Sequence, residues 1–214
     1  MTVQFLEINN NTLELLPQKA IYWNNTETLI VSDVHLGKAS HFRKHGMPIP
    51  MESGTDDLHH LDNLLHTHAP KRLLILGDLF HSDYNQEWEY FGALRKKYSG
   101  VRFILVRGNH DILKEHHYEK HDILLETEPV YENGFVFAHN FVKLKENEFS
   151  ISGHIHPGFV LHGKGRQSIT LPCFYKKKNT LIMPAFGRLT GLAHMPYSKD
   201  AEIFVMTEED VHRI

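Results

Sequence analysis

Five short stretches of this chain place metal-capable side chains close together. They are Asp33-Val34-His35, Gly77-Asp78, Gly108-Asn109-His110-Asp111, His139 behind Ala138, and Gly153-His154-Ile155-His156. Carboxylate, imidazole and amide oxygen are hard to borderline donors that suit Mn²⁺, Fe²⁺ or Zn²⁺ better than Ca²⁺. Two residues apart on extended backbone, Asp33 and His35 point to the same side, and so do His154 and His156. Taken singly these are weak signals, because Gly-Asp is a turn dipeptide and Asn beside Gly also forms turns. Their order, each behind an apolar run, points to one divalent-metal site.

A pair of such cations can clamp the attacking and leaving oxygens of a displacement at phosphorus and supply hydroxide near neutral pH. In that scheme a bridging carboxylate partly neutralises the pair and sets its separation. Neutral Asn109 lends a carbonyl oxygen without cancelling the charge that attracts phosphate. His110, beside Asn109, is free to donate a proton to the leaving oxygen. Lys38 and Arg43 lie close enough to the first motif to contact substrate phosphates or simply to stay solvated.

The elements that must position these residues are legible from hydrophobic pattern. Thr28–Ser32, Leu73–Leu76 and Phe103–Val106 are short apolar runs of buried-strand type, and each leads straight into a cluster. Ligands of α/β sheets gather beyond the carboxyl ends of strands. Val3–Ile8 and Ala20–Trp23 open the chain as further strands. Leu58, Leu61, Leu64 and Leu65 recur at helical spacing after Ser53-Gly54-Thr55-Asp56-Asp57, where capping side chains and acids favour a helix start. Gln86–Tyr98 reads as a second helix with Trp88, Phe91, Leu94 and Arg95 along one side. From Val130 onward short strands follow one another: Val130–Tyr131, Phe135–Ala138, Phe149–Gly153, Phe159–Leu161, Ser168–Tyr175, Thr180–Met183 and Ile203–Met206. The expectation is one domain over residues 1–214, an α/β fold in which two facing sheets carry helices outside, an α/β/β/α sandwich.

Composition narrows the classes. With 214 residues, 41% hydrophobic and 23% charged, the chain has the balance of a globular domain. No apolar run approaches the roughly 18–20 residues of a membrane span. The start lacks a basic-then-apolar leader, which predicts a cytoplasmic protein. The single cysteine, Cys173, excludes a zinc site built on several thiolates. Most of the eighteen histidines, such as His59, His60, His66 and His68, read as surface residues of polar helices. The net charge of −3 argues against a basic nucleic-acid coat, but residues 143–188 hold eight Lys/Arg against two acids. That stretch would guide a polyanion or merely decorate hairpin tips.

The ordered motifs resemble those of the calcineurin-like metallophosphoesterases, over about Ile30 to Arg188. The resemblance implies the four-layer sandwich and a dinuclear centre. Asp33, His35 and His156 would hold one metal, Asn109, His139 and His154 the other, and Asp78 would bridge them. Ala138 stands where the family often has glycine. His81 stands where many relatives carry an acid that orients the catalytic histidine, which leaves Asp83 or Asp111 for that role. A narrower resemblance, in Asp33-Val34-His35-Leu36-Gly37-Lys38-Ala39, Phe42-Arg43 and Gly46-Met47-Pro48-Ile49-Pro50, is to PdeM-type DNA-damage-response endonucleases associated with DNA ligases. It implies a DNA substrate, Mn²⁺ ahead of Fe²⁺ or Zn²⁺, and a ligase or helicase partner. Two other readings stay open: hydrolysis of a small nucleotide-like phosphoester, and a non-catalytic scaffold on the same fold.

Overall fold

The computed structural model describes residues 2–48, 55–81 and 84–214. The first half builds a seven-stranded sheet whose strands lie side by side in chain order: β1 (Gln4–Ile8), β2 (Asn11–Leu16), β3 (Ala20–Trp23), β4 (Thr28–Val31), β5 (Arg72–Leu76), β6 (Arg102–Val106) and β7 (Ile123–Glu126). β1 to β4 run antiparallel, and β4 to β7 run parallel. All four residues of β4, and the last four of β5 and of β6, are buried. Near-continuous apolar runs fit a parallel sheet covered on both faces. The parallel register, Leu29 beside Leu73 and Leu73 beside Phe103, brings the ends of these three strands to one edge.

Helices cover the outer face of this sheet. They are α1 (Lys38–Lys44), α2 (Asp56–His68), α3 (Gln86–Lys97) and α4 (Glu115–Lys120). α2 buries Leu58, Leu61, Leu64 and Leu65, and α3 buries Trp88, Phe91, Leu94 and Arg95, as their spacing predicts. α3 starts where Asn85 accepts from the Glu87 N–H at 2.8 Å. Ser53, Gly54, Ile49, Pro50 and Asp83 lie outside the described residues.

The second half forms a mixed sheet from β8 (Val130–Glu132), β9 (Phe135–Ala138), β10 (Phe149–Ser152), β11 (Pro157–His162), β12 (Ser168–Lys177), β13 (Thr180–Ile182), β14 (Ala193–His194), β15 (Ala201–Met206) and β16 (Val211–Arg213). Its parallel trio β9, β10 and β13 ends at the same edge of the sandwich as β4, β5 and β6. Between the sheets lies an apolar layer to which Trp23, Ile30, Leu74 and Ile104 come from one side and Phe137, Ile151, Phe174 and Phe204 from the other. Each fully buried side chain of this size contributes about 1.5–3 kcal/mol. The two-sheet α/β sandwich is thus as expected, but its helical cover is one-sided. Among the described residues no helix follows α4. The outer face of the second sheet keeps a smaller cluster around Cys173, Tyr175, Ile203 and Val205.

Candidate metal centre

Beyond β4 and β5 the chain leaves regular pairing, yet the two loops stay zipped together. The Asp33 N–H donates to the Gly77 carbonyl (3.1 Å), the His35 N–H to that of Asp78 (2.8 Å) and the Leu36 N–H to that of Leu79 (2.9 Å). From the second half of the chain, the Gly187 N–H donates to the Asp33 carbonyl at 3.1 Å. Held this way, Asp33, His35, Asp78, His154 and His156 all adopt left-handed backbone, with φ between 51 and 67°. Such conformations cost on the order of 1–3 kcal/mol each and concentrate at functional sites. The i, i+2 pairs are therefore not on extended backbone. Their outcomes also differ: Asp33 and His35 meet in one triad, whereas His154 and His156 part into two.

Two groups of donors emerge, Asp33 with His35 and His156, and Asp78 with His139 and His154. Within each group the donor atoms lie within 4.8 Å of one another. His156 Nε2 is 3.2 Å from Asp33 Oδ1. Asp78 Oδ2 faces both groups, 3.8 Å from His35 Nε2 and 3.5 Å from His139 Nε2. Asn109 joins the second group, its Oδ1 lying 3.0 Å from His139 Nε2, and His154 Nδ1 is 3.1 Å from that same nitrogen. All seven residues singled out in the sequence as donors therefore converge.

A divalent cation fits these residues on a simple test. Asp33 Oδ1, His35 Nε2 and His156 Nε2 are buried without a hydrogen-bond partner among the described residues. Buried polar atoms are rarely left so, and these three are the inward-facing donors of one triad. The opposite atoms of Asp33, His35 and Asp78 are occupied. Asp33 Oδ2 accepts from Ser32 Oγ (2.5 Å) and the His154 N–H (3.0 Å), and Asp78 Oδ1 accepts from the His110 N–H (2.8 Å). His139 turns Nδ1 to the Leu76 carbonyl at 3.0 Å, which leaves Nε2 for the centre. His35 Nδ1 lies 3.1 Å from His81 Nδ1. Burial, aided by Lys38, His81, His156 and His110, pushes His35 down to about 2, so its ring stays neutral and able to ligate. Burial likewise pushes His81 down to about 4, aided by His110.

Glycine is required where backbone must pass against these side chains. A Cβ on Gly108 would stand 2.2 Å from Asp78 Oδ1, and one on Gly153 only 1.7 Å from Ser32 Oγ.

Asp111 reaches the site through the backbone. One oxygen accepts from the Asp78 and Gly108 N–H groups, both at 2.8 Å, and the other from the Phe80 N–H at 3.2 Å. Burial pushes this carboxyl up to about 7 against those donors. With both oxygens committed to the loops, Asp111 positions Asp78 and does not orient the His110 ring. That ring instead lies 4.3 Å from the His81 ring and 5.4 Å from that of His35.

Lys38 is half-buried at the start of α1, where burial lowers its pKa against the pull of Asp33 and Asp78. Arg43 points elsewhere, to Ser40 Oγ (2.9 Å) and Glu87 Oε1 (3.7 Å). Sequence reading missed Glu87, which also accepts from the Gly37 N–H and Ser40 Oγ, both at 2.5 Å, and so ties the first motif to α3. It missed Asp57 as well, whose carboxylate accepts from the Arg188 N–H at 3.2 Å. Neither carries a local sequence signal, since both act across the fold.

Among the described residues, no helix is long and apolar enough to cross a membrane. The family model described as calcineurin-like phosphoesterase matches residues 26–178. Among solved structures, the Pseudomonas putida nuclease MPE is 28% identical, the match covers 100% of both chains, and the TM-score is 0.81. A protein of unknown function, AQ665 from Aquifex aeolicus, is 22% identical over 60% of this chain and 78% of its own, with a TM-score of 0.42. A search of curated proteins finds no match. On the extent of the family match, joined to a site in which its motifs converge, this chain belongs to the calcineurin-like phosphoesterases.

Proposed function

We propose that the chain is a two-metal phosphodiesterase that cuts DNA internally. Asp33, His35 and His156 would hold one ion and Asn109, His139 and His154 the other, with Asp78 between them. The observation that carries this reading is the shared Asp78 Oδ2, which faces both triads while three donors beside it lack hydrogen-bond partners among the described residues. Two divalent ions bound there, Mn²⁺ in the first instance with Fe²⁺ or Zn²⁺ as alternatives, would polarise a phosphodiester and make water nucleophilic near neutral pH.

The chain's own residues do the rest. His110, anchored by its N–H to Asp78, donates a proton from its ring to the departing oxygen, a role worth about 10²–10⁴-fold. His81 packs beside it and keeps its ring in place. Lys38 adds positive charge at the rim, where the phosphate enters. The nucleic-acid substrate is favoured by the full-length likeness to a protein titled a nuclease. A place in DNA repair, with a ligase or helicase partner in the cytoplasm, follows from the family resemblance.

The net charge of −3 favours the competing reading, a small nucleotide-like diester. Circular single-stranded DNA and supercoiled plasmid, each incubated with Mn²⁺, separate the two because only an endonuclease opens a circle. Nicked or linear products from the wild type, absent with Asp78→Asn, are the expected outcome. Circles left intact by a chain that hydrolyses bis-(p-nitrophenyl) phosphate would shift the assignment to the small substrate.

A further inference from the structure

The basic stretch at 143–188 divides into separate groups once its side chains are placed. Lys176 pairs with Glu202, Lys177 with Asp200 (3.4 Å) and Arg188 with Asp56 (3.5 Å), so these three cations are committed. Lys178 sits in the turn between β12 and β13, at the end of the sheet away from the candidate centre. Lys164 and Arg166 occupy the tip of the β11–β12 hairpin. Lys143 and Lys145 are different. They are exposed, make no side-chain ion pair among the described residues, and follow the candidate ligand His139 by four and six residues.

The segment that carries them has a distinct pattern. Phe141, Lys143 and Lys145 are exposed, while Val142 and Leu144 between them are half-buried, so alternate residues face outward. Both ends are fixed. The His139 carbonyl accepts from the Gly153 N–H at 3.2 Å, and the Lys145 N–H donates to Glu148 Oε2 at 2.7 Å. At 82%, Phe141 is the most exposed large apolar side chain among the described residues. Ile155, between His154 and His156, and Ile112, next to Asp111, are also exposed.

We infer that Phe141, Lys143 and Lys145 form a track for an unpaired nucleic-acid strand leading away from the candidate metal centre. A base lies on the Phe141 ring, and the two ammonium groups contact the phosphates beyond it. This deepens the nuclease reading and rests on it. An aromatic platform followed by free cations is the chemistry that grips single strands, because every base has a π-face and every linkage a charge. A base inside a duplex shows no face to such a ring, so the track selects unpaired substrate.

The test is fluorescence anisotropy of a labelled oligothymidylate with the full chain in EDTA, where binding is read without turnover. Phe141→Ala should weaken binding about 5- to 150-fold, and Phe141→Tyr should restore most of it. Lys143→Ala/Lys145→Ala should flatten the plot of log affinity against log salt by about 1.4, at about 0.7 per lost phosphate contact. In parallel, Phe141→Ala should lower the rate on a single-stranded circle relative to bis-(p-nitrophenyl) phosphate. Wild-type affinity in Phe141→Ala, or an equal loss on blunt duplex, would overturn the track while leaving circle-cutting intact. A wild type that binds the oligonucleotide through Phe141 but opens no circle would instead refute the nuclease reading and keep the track as a binding surface.

Discussion

The two donor groups share Asp78 and differ in almost everything else. Asp33 and His35 are buried, and one donor atom of each, with Nε2 of His156, has no hydrogen-bond partner among the described residues. In the other group His154 and Asn109 are exposed, and His139 Nε2 already meets Asn109 Oδ1 and His154 Nδ1 at hydrogen-bond distance. An unsatisfied buried polar atom costs about 1–3 kcal/mol, so the first group gains by taking an ion. The second, with His154 and Asn109 open to solvent, must compete with water for its donors. Similar donor chemistry would therefore give a tight position and an exchangeable one, set by burial.

The hardest blow to that contrast comes from removing one histidine from each group. His35→Ala should lose the tightly held ion, and hydrolysis should fall to background. His154→Ala should lose only the metal that exchanges readily. Elemental analysis after gel filtration reads this directly, and melting with and without Mn²⁺ reads it again. Saturation at about 100 times Kd contributes about 2.7 kcal/mol of stability, which His154→Ala should largely retain and His35→Ala should not. Metal content that is equal in both variants would remove the asymmetry.

His110 stands between the groups, its N–H on the shared Asp78 and its ring against His81. A proton donor matters only when the departing oxygen needs a proton. His110→Ala should slow an alkyl phosphodiester about 10²–10⁴-fold while affecting a nitrophenyl ester far less. Losses of the same size on both would assign the His110 ring a purely structural part in packing against His81 and His35.

How much of this contrast is legible in the sequence depends on how local its causes are. The runs of β4, β5, β6 and β9 announce themselves because a strand buried on both faces is apolar almost throughout, whereas β10 shows as the alternation Phe149-Ser150-Ile151-Ser152. The donors follow because they cap those runs. β2 escapes notice because Asn11, Thr12 and Glu14 interleave with its leucines after two more asparagines, which reads as a turn. α1 and α4, at seven and six residues, are too short for a helical period to show. The division of His154 from His156 is invisible as well, since it comes from left-handed backbone that only the packed loops impose. Asp111 is visible as a site residue but not in its role, because its three backbone partners come from two loops. The basic run at 143–188 sorts itself only when Glu202, Asp200 and Asp56 arrive from distant segments.

The smallest effect concerns the frame of the buried group. Asp57 accepts from the Arg188 N–H, and that loop in turn donates from Phe186 to the Ser32 carbonyl and from Gly187 to that of Asp33. Burial pushes Asp57 up to about 6 from 3.8, against the Arg188 N–H, Lys19 and the Arg188 guanidinium. A raised carboxyl favours the folded state while protonated. Its contribution is full below about pH 3.8 and is lost as pH climbs through about 6, a change of roughly 3 kcal/mol. Asp57→Asn keeps a carbonyl oxygen for Arg188 and has nothing to ionise. The stability difference between variant and wild type, followed by urea unfolding from pH 4 to 8 without metal, should therefore move in favour of the variant as pH rises. A difference that stays level across that window would mean Asp57 is comfortable as a carboxylate. In that case the strained loops around Asp33 would be held up by attraction to Lys19 and Arg188, and the buried group would owe its shape to charge as much as to packing.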